Sequence, residues 1–95
     1  MKIDKTGKTK EELLRSLDSI KDNLKNEISS NNVEIEKITD GYSIKAEKKI
    51  IFVKFWVNAA ITAGDGYYEI TWETNAPEGK VAAAIDKVKD TLEKV

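Results

Sequence analysis

Apolar residues fall first at helical and later at alternating spacing along this chain. Leu13, Leu17, Ile20, Leu24 and Ile28 recur at intervals of three and four, with Leu14 beside them, which predicts a helix with one apolar stripe. Thr9 and Glu12 form the S/T-x-x-E signature of a capping box at its start, and Ser29-Ser30-Asn31-Asn32 stops it. From Ile50 onward the period is two. Ile51, Val53, Phe55, Val57, Ala59, Ile61 and Ala63 make one apolar face, and Tyr68, Ile70 and Trp72 continue it past Ala63-Gly64-Asp65-Gly66. A last helical stripe, Val81, Ile85, Val88, Leu92 and Val95, follows Asn75-Ala76-Pro77-Glu78, with Pro77 in the first turn and Glu78 near the positive end of the helix dipole.

Between the first helix and Ile50 the pattern predicts two shorter strands, Val33–Thr39 and Tyr42–Glu47. Asp40-Gly41 is suited to a two-residue hairpin turn between them. That turn sets Ile35 opposite Ala46 and brings Lys37 onto an otherwise apolar face. A turn at Lys48-Lys49 then opens a long third strand, Ile50 to Ala63, which predicts strong twist or a bulge near Asn58-Ala59-Ala60. A loop at Asp65-Gly66 pairs Ile61 with Ile70 and Ala59 with Trp72 and leads into a fourth strand, Tyr67 to Thr74. Residues 1–8 read as a loose, flexible tail, with Lys2-Ile3-Asp4 an optional short strand. The expected architecture is one α+β domain over residues 9–95: helix, four-stranded antiparallel meander, helix, in two layers with both helices on one sheet face.

Composition narrows the function classes. Sixteen basic and seventeen acidic residues leave a net charge of −1, without the basic excess of a nucleic-acid binder. The 95 residues include no histidine and no cysteine, which removes the commonest general base, the commonest metal ligand and all thiolate chemistry. No apolar run has the length of a membrane span, and Met1-Lys-Ile-Asp-Lys-Thr-Gly-Lys lacks the core of a secretory signal, so a soluble, cytoplasmic protein is expected.

Candidate chemistry is sparse. Gly64-Asp65-Gly66 lacks the remainder of a phosphate or calcium loop and reads as a hairpin turn. Glu69 and Glu73 share a face near Glu47, Lys45 and Lys54, in an arrangement that suits solvated ion pairs. No catalytic, cofactor-binding or metal-binding residue emerges, and the chain is expected to be non-enzymatic. Phe52 and Trp56 stand out as aromatic residues on the outer face of the third strand. Together with Ile50, Tyr67 and the nearby Ile38 they outline a candidate interface, Ile50, Phe52, Trp56 and Tyr67, for binding or for homodimerisation through the outer sheet face. A second expectation follows from the small residues Ala59, Ala63 and Ala84, which leave room between helix and sheet for an apolar small molecule.

The order helix–four strands–helix, with Gly41-Tyr42-Ser43-Ile44 opening the second strand and Ala76-Pro77 before the last helix, resembles the small bacterial proteins of polyhydroxyalkanoate systems. It is also similar to a trimmed START-like helix-grip fold. The resemblance is topological, and none of those families' functional residues maps onto this chain. The lack of cysteine and histidine, the capping box and the consistent turns also match what a designer writes. They give an alternative reading as a de novo designed α+β protein without biological function.

Overall fold

The computed structural model describes residues 1–27 and 32–94, apart from the side chains of Glu27, Glu78 and Lys80. The expected stop signal at Ser29-Ser30-Asn31 and the stripe residues Ile28 and Val95 lie outside the described residues. Within them the elements run β1 (Lys2–Asp4), α1 (Lys10–Glu27), β2 (Asn32–Ile38), β3 (Gly41–Ile50), β4 (Val53–Gly64), β5 (Tyr67–Thr74) and α2 (Glu78–Glu93). The strands form one antiparallel sheet in the order β1-β5-β4-β3-β2.

The fifth strand corrects the expected count. Residues 2–4 pair with β5 at the sheet edge, Ile3 opposite Tyr68, and Ile3 is buried in the core. The Met1 ammonium donates to the Ile70 carbonyl at 2.9 Å, and the Ile70 amide donates back to Met1 at 2.8 Å. Burial of Ile3 and these backbone bonds hold the short segment, so the first residues are an edge strand rather than a loose tail.

Both helical stripes meet the same sheet face. Leu13, Leu17, Ile20 and Leu24 of α1 and Val81, Ile85, Val88 and Leu92 of α2 join Tyr42, Ile44, Ile61, Tyr68 and Ile70 in one buried cluster. Trp72, expected in this core, is 39% exposed on the outlying part of β5, beyond the reach of β1. The N-terminus of α1 is pinned to two hairpin turns. Thr9 Oγ accepts the Glu12 amide at 3.2 Å, the Lys10 amide donates to Asp65 Oδ1 at 2.9 Å, and the Lys10 ammonium lies 2.6 Å from Asp40. That carboxylate, then Asp65, holds the Lys10 ammonium above its usual pKa.

Two turns differ from expectation. The first hairpin closes at Thr39-Asp40, with Ile38 opposite Gly41 and Ile35 opposite Ile44. This two-residue shift keeps every side chain on its face, so burial does not distinguish the registers. Gly41 is required instead for a close approach, since a Cβ there would lie 1.9 Å from the Ile61 carbonyl oxygen. Lys37 lies opposite Tyr42 and extends to Asp18 of α1 at 3.8 Å, so it escapes the core. The second hairpin closes at Ile51-Phe52 rather than Lys48-Lys49, and Ile50 pairs with Val53. The ladder then runs unbroken from Ile50–Val53 to Gly41–Thr62, with no bulge at Asn58-Ala59-Ala60. The turn at Asp65-Gly66 and the pairs Ile61–Ile70 and Ala59–Trp72 agree with the sequence, and Gly66 supplies the positive φ (85°).

Gly41→Ala should cost at least about 2 kcal/mol in chemical denaturation, because strand backbone cannot retreat as a side chain can. The control Gly79→Ala, in α2 with open space around it, should be neutral or stabilising by about 0.5 kcal/mol.

Candidate functional site

Strand lengths create the most exposed feature of the molecule. Among the described residues β2 accompanies β3 as far as the Asn32–Glu47 pair, and β5 accompanies β4 from the Val57–Thr74 pair. Beyond those pairs Lys48–Ile50 of β3 and Val53–Phe55 of β4 pair with each other, and no other described strand flanks them. The result is a two-stranded ribbon ending in Ile51-Phe52. The molecule measures 47 × 22 × 20 Å, a length that accommodates β4's twelve residues at about 3.3 Å each plus the turns.

Asn75 closes the sheet where β5 departs. Its Oδ1 accepts the Trp56 amide at 2.7 Å, and its Nδ2 donates to the Lys54 carbonyl at 2.9 Å. One side chain thus replaces a strand's peptide group. Thr74 Oγ donates to the Trp56 carbonyl at 2.8 Å and accepts the Ala76 amide, turning the chain toward α2.

The tip itself is apolar. Ile51 is 80% exposed, Phe52 94% and Val53 52%. Ile51 has φ of 57°, in a turn whose first central position favours glycine. A β-branched residue there carries strain of about 1–2 kcal/mol. Alternation places Lys48, Ile50, Val53 and Phe55 on the helix side of the ribbon. Glu47, Lys49, Lys54 and Trp56 take the outer side. Lys49 stands directly opposite Lys54, a like-charge pair, and the Lys54 ammonium turns to Glu47 at 3.1 Å.

These positions divide the interface expected from sequence. Phe52 is at the turn, Ile50 belongs to β3 on the helix side, and Trp56 is half-buried on the outer side, opposite Glu47. Tyr67 pairs with Gly64 at the far end of β4, about 26 Å from Trp56 along the strand. Its ring covers Gly64, where a Cβ would lie 2.4 Å from Tyr67 Cζ, and the Lys2 ammonium sits 4.8 Å from its centroid. Ile38, at the end of β2 that pairs with Gly41, is likewise remote from the tip. The four residues therefore do not form one patch. Only an apolar run interrupting two lysines and a third, Lys48-Lys49-Ile50-Ile51-Phe52-Val53-Lys54, signals the ribbon end in the sequence.

Two other features face the helices. Ten apolar residues, including Ala59 and Ala84 but not Ala63, line a cleft of about 50 Å³ between α2 and the sheet. At the rim of α1, the Tyr42 hydroxyl donates to Asp18 Oδ1, where Lys37 also arrives. This bond, then burial, pushes the Tyr42 phenol up to about 12. Burial also raises Tyr68, partly offset by Ser16, and the Tyr68 hydroxyl donates to the Leu13 carbonyl.

Glu69 lies opposite Thr62 and Lys2, and Glu73 opposite Asn58, so the carboxylates spread over the outer face rather than converge. Among the described residues no acidic cluster suited to a metal ion occurs. No protein-family model, curated protein or solved structure gives a significant match to the chain.

In a spectrophotometric titration Tyr42 and Tyr68 should both ionise late, Tyr42 near pH 12, and Asp18→Asn should return Tyr42 alone toward 10. Because folding raises this pKa, the associated stability is complete below about pH 10 and is lost as pH rises through about 12. Unchanged late ionisation in Asp18→Asn would remove Asp18 as its cause.

Proposed function

We propose that this chain is a non-enzymatic binding module that makes contact through the end of its β3–β4 ribbon. The observation carrying this reading is the nearly complete exposure of Phe52 beside a strained Ile51. A two-residue hairpin selected for stability alone has glycine or asparagine at these places. An exposed apolar side chain held at a positive φ that disfavours it, as Ile51 is, beside an exposed aromatic ring marks a surface kept for something else. The fold itself gains nothing visible from them, since neither belongs to the buried cluster.

A second reading, a carrier for an apolar small molecule, draws on the wholly apolar lining of the cleft beneath α2. Its volume favours the ribbon. An engineered cavity of about 150 Å³ admits benzene, and the space here is smaller. A fatty acid or sterol would require α2 to lift from the sheet.

Replacing Ile51-Phe52 by Gly-Asn should leave stability unchanged or raise it by about 1 kcal/mol, through relief of strain. Destabilisation by more than about 1 kcal/mol would show that the tip serves the fold and would end the ribbon reading. Thermal shifts with fatty acids, sterols and aromatic compounds test the carrier. A true cavity ligand should raise Tm equally in the wild-type chain and in the Gly-Asn variant.

A further inference from the structure

We infer that the ribbon end docks on the surface of an anionic lipid bilayer, with the tip side chains in the interface and the lysines at the headgroups. This rests on the ribbon reading above and names its partner.

The order of side chains along the ribbon carries the inference. Farthest out are Ile51 and Phe52, followed by Ile50 and Val53, all apolar. One step behind, Lys49 and Lys54 stand on the outer side, and one step further Lys48 stands on the helix side opposite Phe55. From the Ile51-Phe52 turn back to the Lys49–Lys54 pair the ribbon spans roughly 7 Å. Interfacial segments bury their apolar side about 5–10 Å into the headgroup–acyl boundary, so the lysines would arrive at the phosphates.

Charge points the same way. Residues 47–54 contain three lysines and one glutamate, in a chain whose net charge is −1. The ladder sets Lys49 opposite Lys54, whose ammonium turns to Glu47 at 3.1 Å, so Lys48 and Lys49 carry the attraction to an anionic surface. The convex shape also matters. A protein partner would need a deep apolar pocket ringed by acids, whereas a bilayer accepts a projecting wedge from any side. No helix among the described residues is long and apolar enough to cross a membrane, and this contact requires none.

The test is co-pelleting of the full chain with phosphatidylcholine vesicles, with and without phosphatidylserine. Binding should be at least about tenfold tighter to the serine-containing vesicles and should weaken as salt is raised. Lys49→Gln should weaken it about fivefold and Phe52→Ser at least about tenfold. Both positions are solvent-facing, and circular dichroism should confirm that both variants fold. Absence of binding to the anionic vesicles, or binding unaffected by both substitutions, overturns the inference. A concentration-dependent dimer in sedimentation that Phe52→Ser abolishes, without vesicle binding, would also overturn it while leaving the ribbon as the contact surface. Loss of stability on the Gly-Asn exchange would instead remove the ribbon reading itself.

Discussion

Strand β4 is longer than the sheet that surrounds it, and most of the architecture follows from how that difference is handled. Over Val57–Thr62 the strand has partners on both sides, and its helix-side residues lie under α1 and α2. Over Val53–Trp56 it has β3 alone. Hydrogen bonding would fail abruptly at the junction if nothing replaced β5, because a strand edge leaves peptide groups unpaired. Asn75 supplies the missing donor and acceptor there, and Thr74 closes the neighbouring carbonyl. Buried sheet and protruding ribbon are therefore two environments along one continuous strand.

The same division separates stabilising from exposed apolar residues. Identical alternation runs from Ala63 to Val53, yet Ala63 and Ile61 are buried while Val53 is open to solvent. Hydrophobic periodicity reports which way a side chain points, not whether anything lies on that side. At the opposite end of the sheet, Asp40 and Asp65 hold the start of α1 through Lys10. The helix is thus registered against the hairpin turns, far from the ribbon.

Much of the α+β fold was legible in the sequence. The helical stripes, the pairing of β4 with β5 and the turn at Gly66 each rest on a signal with one physical meaning: a period of 3.6, core opposite core, or a positive φ that favours glycine. β1 was visible only as an option, because three residues carry little pattern. The two misplaced turns share one cause. Moving a hairpin register by an even number of residues preserves every face, so Ile44 meets an apolar partner whether the turn lies at Lys48-Lys49 or at Ile51-Phe52. Turn chemistry then favours the lysines. The structure favours the other register because it lets β3 pair with the part of β4 that also pairs with β5, under the helices. The candidate interface divided for the same reason: placing the turn three residues later moves Ile50 into β3 and Phe52 out of the strands.

The Asn75 clasp also makes the ribbon modular. Because it completes the hydrogen bonding of β4 at Lys54 and Trp56, the core does not depend on what the chain does beyond those residues. Adding or deleting one residue from each arm would reverse the faces of the outermost side chains relative to the core. Two residues per arm would preserve them and alter only the reach. The appendage can therefore vary in length and tip sequence on an unchanged scaffold, and a grafted turn of different chemistry would be displayed at the same place.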